Sequence, residues 1–390
     1  MSIRPYDPAA PLALLDDPVA QWLDWEEQAN LVGFRTSTEP VEVEIVDVAR
    51  EDVEVHVLPG APEEILDRFL HGDRVSFPRH PLNRDASVAW FDAPVRERWQ
   101  ARFTSSRTLA LPGRESGRAL FSLKMSTDHP HPDFMQPEKT RLREEAIDAV
   151  RWVERIARID ALLGPDPELM LVTEVLVVLA RGGETGFMVR DLRAFQDGHH
   201  HLPALSLPFV GRQIARLRGE PFEAFWGRCY AAAVGRDKAR LLARYGLWYE
   251  TPNPQNLLVR LERDLRPTGR LVFRDVGDGN CATDADRCDP GVPWTVLESD
   301  MRPETANSFW AFDEAGDHSI GRETIDRWCA LHDDAFFGEL AGWFPGIAPA
   351  PDDAPASRLD HWNAVLRSDA GREAIARCFA ERIGERRAQA

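Results

Sequence analysis

The sequence is short of positive charge: 47 Lys and Arg stand against 64 Asp and Glu over 390 residues, a formal net charge of -17. No nucleic-acid partner is expected, because phosphate backbones are bound by basic stripes that release counterions. Long apolar runs are also missing. The longest, ELMLVTEVLVVLA, reaches about half of the ~20 residues that a bilayer span needs and contains Glu174, so no membrane partner is expected. The first residues, MSIRPYDPAAPLALLDDPVAQW, lack a basic region followed by an unbroken apolar core, and the expectation is a cytoplasmic protein without a signal peptide. Cysteines are few and odd in number: Cys229, Cys281, Cys288, Cys329 and Cys378 are scattered, as reduced thiols are. Cys281 and Cys288 share the loop GNCATDADRCD, but no second Cys/His pair stands near them to complete a zinc site. Also absent are a G-x-x-x-x-G-K-[ST] loop, a G-x-G-x-x-G turn after a strand and a G-x-S-x-G elbow. A nucleotide site, if there is one, must be assembled from dispersed polar groups.

What is present is apolar bulk. A hydrophobic fraction of 43% with 12 Trp fits a globular chain with a large core in two or three packed units. Residues 12–32 read as an amphipathic helix carrying Trp22 and Trp25, and VEVEIVDV and VEVHVLP alternate as half-buried strands do. APEEILDRFLH is a short helix with Pro62 near its start, and RTLALPG and ALFSLKMS read as a hairpin. Pro137 opens a long helix ending at Gly164, followed by strands ELMLVTEVLVVLA and GFMVRDLRAF. Two helices, PFEAFWGRCYAAAVG and RDKARLLARYG, precede the strand pair NLLVRLERD and GRLVFRDVG, and the last hundred residues are mostly helical. The fold class is α+β. Three regions are expected: an N-terminal α+β lobe with a phosphate-binding hairpin (1–135), a second α+β domain (136–345) and a C-terminal helical segment (346–390).

The octet YETPNPQN stands between two patterned segments, and its prolines exclude both helix and central strand, leaving a rigid loop that presents Asn253, Gln255 and Asn256. Elsewhere, Ser105, Arg107 and Thr108 in TSSRT supply hydroxyls and a guanidinium suited to phosphate oxygens, and Lys124 in FSLKMS adds a point charge. Asp275, closing RLVFRD, is a hard oxygen ligand suited to Mg2+. Taken singly, each is an ordinary surface or capping residue. Their order along the chain is more informative.

The series HPLN, TSSRTLALPGRESGRALFSLKMS, TEVLVVLARGGETGFMVRDL, LLARYGLWYETPNPQNLLVRL and GRLVFRDVGDGN resembles the NRPS-independent siderophore synthetases of the aerobactin and achromobactin type, over about residues 76–280. The resemblance implies a cupped-hand architecture of fingers and palm, which makes the second domain (136–345) palm-like, with a reduced N-terminal region and a helical C-terminus. It implies ATP and Mg2+ as cofactors, a small carboxylic acid and an amine or alcohol as substrates, and AMP-forming adenylation. By the same resemblance Ser105, Arg107, Thr108 and Lys124 hold phosphates, and Gln255 and Asn256 contact the nucleotide or acyl group. Asp275 binds the metal, His80, Arg190 and Asn253 face the substrate, and Arg107, Lys124 and Asn253 act in catalysis. A homodimer is compatible with it.

Three departures from the family pattern stand out. Asn253 occupies the position of the family histidine and cannot carry charge or shuttle a proton near neutral pH. HPWQ has become His80-Pro81-Leu82-Asn83, and after Lys124 the chain turns into TDHPHPDFMQPEKTR. These changes leave citrate in question and admit two other functions on the same scaffold, a phosphotransferase and a non-catalytic carboxylate- or nucleotide-binding protein. His129 and His131 in DHPHPD lack a third ligand for a metal, His199, His200 and His201 read as a solvated loop, and His332 with Asp333 and Asp334 reads as a helix surface.

Overall fold

The computed structural model describes residues 12–34, 40–83, 89–112 apart from 91 and 106, 119–128, 141–249, 253–276, 309, 312, 319–349 and 354–389. Outside the described residues lie His129 and His131 with the rest of the DHPHPD loop after Asp128, Pro137, the Cys281 and Cys288 loop, and Glu250–Pro252 of the proline octet.

Helix α1 (Pro18–Phe34) is followed by β1 (Val41–Ala49), β2 (Val53–Val57), helix α2 (Glu63–Phe69), β3 (Leu70–His71), β4 (Arg74–Arg79), β5 (Val95–Phe103), β6 (Thr108–Pro112) and β7 (Ala119–Met125). Helix α3 (Arg143–Leu163) leads to β8 (Met170–Val172), β9 (Glu174–Ala180), β10 (Gly186–Asp191) and β11 (His200–Pro203). Helices α4 (Arg212–Leu217), α5 (Phe222–Trp226) and α6 (Ala232–Tyr245) precede the hairpin β12 (Leu257–Leu261) and β13 (Pro267–Arg274). Helices α7 (Arg322–Trp343), α8 (Pro355–Leu366) and α9 (Asp369–Gln389) close the described chain.

The strands form two sheets. Nine antiparallel strands run in the order β2-β9-β10-β7-β6-β5-β1-β4-β3, and four run β11-β12-β13-β8. The large sheet curls over α2: Phe77 of β4 and Phe187 of β10 lie 5.3 Å apart although four strands separate them in the sheet order. Phe69 of α2 fills the concavity with edge contacts to Trp99 and Phe121. On the opposite face, Val177, Leu179 and Met188 share a core with Ala146, Ala149 and Val153 of α3. This alternation is the period-2 patterning of a sheet covered on both faces.

Several elements differ from their sequence-based expectation. Helix α1 begins at Pro18, where the Asp17 carboxylate accepts from the Val19 amide at 2.9 Å. It is buried on more than one face, since Gln21, Glu26 and Glu27 are as enclosed as Trp22 and Trp25. Helix α3 starts at Arg143, with Leu142 as its N-cap. The two helices expected before the octet are one path: a wide π turn at Gly227–Ala231 joins α5 to α6, which runs unbroken through Gly235 to a left-handed Gly246. Gly235 is needed for packing, because a Cβ there would sit 2.0 Å from the His332 carbonyl oxygen on α7. His200 and His201 are buried, His200 against Trp25 and His201 against Phe195, because the segment pairs as β11 with β12. His332 is fully buried and stacked on Phe336, and burial together with nearby Lys238 holds its pKa well below the ordinary histidine value. Cys229, Cys329 and Cys378 are free thiols. Among the described residues no helix is long and apolar enough to cross a membrane.

Candidate functional site

Strand pairing assembles the site. Register places Thr108 opposite Lys124 and Ser122 opposite Arg190, and Arg190 opposite Glu174 after a bulge at Val189/Arg190. Cross-strand partners share a face, so the polar side chains of β6, β7, β9 and β10 converge on the α3 side of the sheet. From the second sheet, β13 delivers Asp275 to the same point. Lys124 Nζ donates to both Asp275 oxygens at 2.7 and 2.8 Å, and Arg190 also donates to Asp275 Oδ1. Arg190 Nε donates to Glu174 at 2.7 Å. From α3, Glu145 accepts from Arg107 at 2.6 Å and from Lys124.

Arg107, Lys124, Arg190 and Asp275 are each less than a tenth exposed. Burial works to raise the Asp275 pKa, yet Arg190, Lys124 and Arg107 together hold the carboxyl well below its ordinary range. Burial likewise works to lower the Arg190 pKa, and Asp275 and Glu174 more than compensate, holding it above the ordinary value. Asp275 also has a left-handed backbone, φ 65. Aspartate tolerates this region better than most side chains, and such strain is retained where surrounding structure fixes it.

No family sequence model matches the chain, and no curated protein matches it by sequence. Among solved structures, the petrobactin biosynthesis protein AsbB from Bacillus anthracis str. Sterne superposes with a TM-score of 0.51 at 12% identity, over 87% of this chain and 65% of AsbB. The chain shares the fold of AsbB. Aerobactin synthetase IucA from a hypervirulent pathotype of Klebsiella pneumoniae gives a TM-score of 0.48 at 16% identity, over 84% of this chain and 69% of that one. Its ATP-bound structure gives 0.46 at 16% identity, over 90% and 63%. The fold assignment rests on AsbB, and the chain spans about two thirds of the length of these proteins.

Within this fold, the residues singled out in the sequence are only partly brought together. Arg107, Lys124, Arg190 and Asp275 form one connected cluster, with Thr108 in the strand position beside Lys124. Ser105, half-buried, lies in the turn before β6, where its amide donates to the Thr108 carbonyl at 3.2 Å. Gln255 and Asn256 belong to a single 3-10 turn leading into β12. Asn253 is the exposed cap of that turn, its Oδ1 accepting from the Gln255 amide at 2.9 Å. Asn256 Nδ2 donates to the Tyr249 hydroxyl at 3.3 Å. His80 lines a separate cavity of roughly 490 Å3 with Glu42, Glu44, Arg79, Asn83 and Arg98. None of the four clustered residues lines that cavity among the described residues.

Sequence reasoning singled out Asp275 but missed Glu145 and Glu174 as members of the cluster. Glu145 reads as an unremarkable acid in the first turn of α3, and nothing local marks it. Glu174 did carry a signal: it interrupts an apolar run, and a wholly buried acid in a strand must be paired. Glu26 and Arg274 were also overlooked. Arg274 NH2 donates to Glu26, and its Nε donates to the Gln255 carbonyl at 2.9 Å, so α1 is tied to the turn that presents Gln255 and Asn256.

Proposed function

We propose that the protein is an ATP-dependent ligase that adenylates a small polar carboxylic acid and condenses the product with an amine or alcohol, in siderophore-like or natural-product biosynthesis. Support comes above all from the convergence of Arg107, Lys124, Arg190 and Asp275 in one buried cluster on this fold. Three cations here face three carboxylates, Glu145, Glu174 and Asp275. Phosphate oxygens present the same acceptor geometry as these carboxylates and can replace Glu145 and Asp275 as partners of Arg107, Lys124 and Arg190. Asp275, held ionised, is then a fitting hard-oxygen ligand, since Mg2+ commonly takes one or two carboxylates plus substrate phosphates. Bound there, Mg2+ would supply charge neutralisation for the departing pyrophosphate.

A carboxylate oxygen of the acid attacks the α-phosphorus of ATP, and the bond from that phosphorus to the pyrophosphate oxygen breaks. The amine or hydroxyl then attacks the acyl carbonyl, gives up its proton and displaces AMP. Arg107, Lys124 and Arg190 stabilise the charge that develops on the phosphoryl oxygens. No side chain of the protein forms a covalent bond in either step.

Incubation with ATP, Mg2+ and a panel of small acids is expected to release AMP and pyrophosphate in an acid-dependent manner. The absence of both across the panel would count against a ligase. ADP in place of AMP would indicate the phosphotransferase alternative, which is favoured by the non-titrating Asn253 at the cap of the Gln255 turn. If neither product forms and nucleotide leaves thermal stability unchanged, a non-catalytic binding protein remains.

A further inference from the structure

We propose that helix α1 sets the register of the candidate site through two adjacent buried carboxylates: Glu26 positions the Gln255 and Asp275 side through Arg274, and Glu27 positions the Ser105 to Thr108 side through Arg102. Both act through another residue, so they are positioning residues, and their purpose, though not their geometry, rests on the ligase reading.

The two links leave neighbouring residues of α1 and reach different sheets. Arg274 is the last residue of β13 and immediately precedes Asp275; its guanidinium is shared between Glu26 and the Gln255 carbonyl. Arg102 lies on β5 two residues before Thr104, pairs across the sheet with Ala110 of β6, and donates to Glu27. Glu26 and Glu27 are each 2% exposed. Helix α1 is itself anchored, since the Ser206 hydroxyl donates to the Trp25 carbonyl at 3.0 Å and Trp22 packs on Phe195 at 5.1 Å.

The need for such a device follows from the cluster. At the site the large sheet and the small sheet are joined directly by the Lys124–Asp275 and Arg190–Asp275 pairs. Those pairs must separate for Lys124 and Arg190 to take phosphate oxygens and Asp275 to take Mg2+. The joint between the sheets would then be lost at the moment when spacing matters most, and a misplacement of ~1 Å costs on the order of 100-fold in rate. The Glu26–Arg274 and Glu27–Arg102 pairs involve none of the groups that must let go. They can persist with ligand bound. A buried ion pair such as Glu26–Arg274 adds little net stability over an apolar pair, so a role in fixing geometry is the better account of it.

The test compares Glu26→Ala, Glu26→Gln, Arg102→Ala and the double variant Glu27→Ala/Arg102→Ala with the wild-type chain. Amide hydrogen exchange is followed without ligand, and ATP affinity and turnover are measured with Mg2+. Glu26→Ala is expected to speed exchange at least tenfold in residues 253–276 while leaving 119–125 unchanged. It should raise the KM for ATP more than tenfold with a smaller change in kcat. Glu26→Gln keeps an oxygen acceptor for Arg274 and should restore most of both. Arg102→Ala, at a side chain 42% exposed, should fold normally and speed exchange in 101–108, with the double variant no worse than the single. Unchanged exchange in both segments would overturn the proposal, as would equal damage from Glu26→Ala and Glu26→Gln. If the wild-type chain binds no nucleotide, the ligase reading fails, and the exchange measurements still decide whether α1 positions the two segments.

Discussion

Lys124 and Asp275 are 151 residues apart in the chain and meet as a bidentate pair, with Nζ at 2.7 and 2.8 Å from the two carboxylate oxygens. The first comes from the middle of the large sheet and the second from the end of the last strand of the small one. Their contact joins the two sheets at the candidate site. Together with Arg190, and with Arg107, Lys124 also holds the Asp275 pKa down against burial, which works to raise it.

Asp275→Asn and Asp275→Ala separate charge from backbone. Both are expected to abolish Mg2+-dependent turnover. Asparagine accepts a left-handed backbone and alanine does not, so the alanine variant should be less stable than the asparagine variant by about 1 kcal/mol. Chemical denaturation checks the order, and equal stabilities would show that the φ of 65 at this residue carries no strain.

Arg107→Ala should weaken nucleotide binding at least tenfold while leaving the fold intact, because Glu145 retains Lys124 as a partner. Thermal shift with ATP and Mg2+, read beside circular dichroism, measures both. Near-normal kinetics in this variant would remove Arg107 from the phosphate site.

Glu27→Gln should alter the pH dependence of stability. Burial, opposed by Arg102 and reinforced by Asp24 and Glu26, pushes the Glu27 pKa up to about 7. A raised carboxyl pKa contributes stability that is complete below the unfolded value of 4.5 and is lost as pH rises to about 7. His332 and His200, whose pKa values are lowered by burial, act with the opposite sign below the ordinary histidine value of 6.5. The difference between variant and wild type therefore isolates Glu27: the variant should gain relative stability as pH rises from 5 to 7, measured as urea midpoints. A difference independent of pH would show that Glu27 titrates normally.

Asn253→Asp keeps the oxygen that caps the Gln255 turn and adds a negative charge. If Asn253 faces the acid substrate, the KM for the acid should rise at least tenfold with stability little changed. An unaltered KM would leave Asn253 as a cap alone.

Gly235→Ala should be among the most damaging single methyl additions. The new carbon would lie 2.0 Å from the backbone oxygen of His332, and backbone cannot move aside cheaply. Overpacking of this kind costs about 1–3 kcal/mol, visible as a lowered melting temperature. No loss would mean that α6 and α7 are free to slide apart.

By itself the sequence determined the element types and the chemistry available. Alternation in VEVEIVDV and ALFSLKMS, helical spacing in α3 and the Pro-Asn-Pro turn before β12 are local matters of φ and ψ, and local rules read them. Boundaries followed where a cap was visible, as at Gly246, and failed at α1, α3 and Gly235, where tertiary contacts decided which residues were covered. Burial of His200, His201 and His332 could not be read, because it depends on what lies across β11 and α7. Only the tertiary structure decided which charges meet: Glu145 and Glu26 are ordinary acids in sequence, and each becomes a partner because strand and helix packing bring a cation to it. Pairing energy depends on distance and dielectric, and neither is a property of a residue's neighbours along the chain.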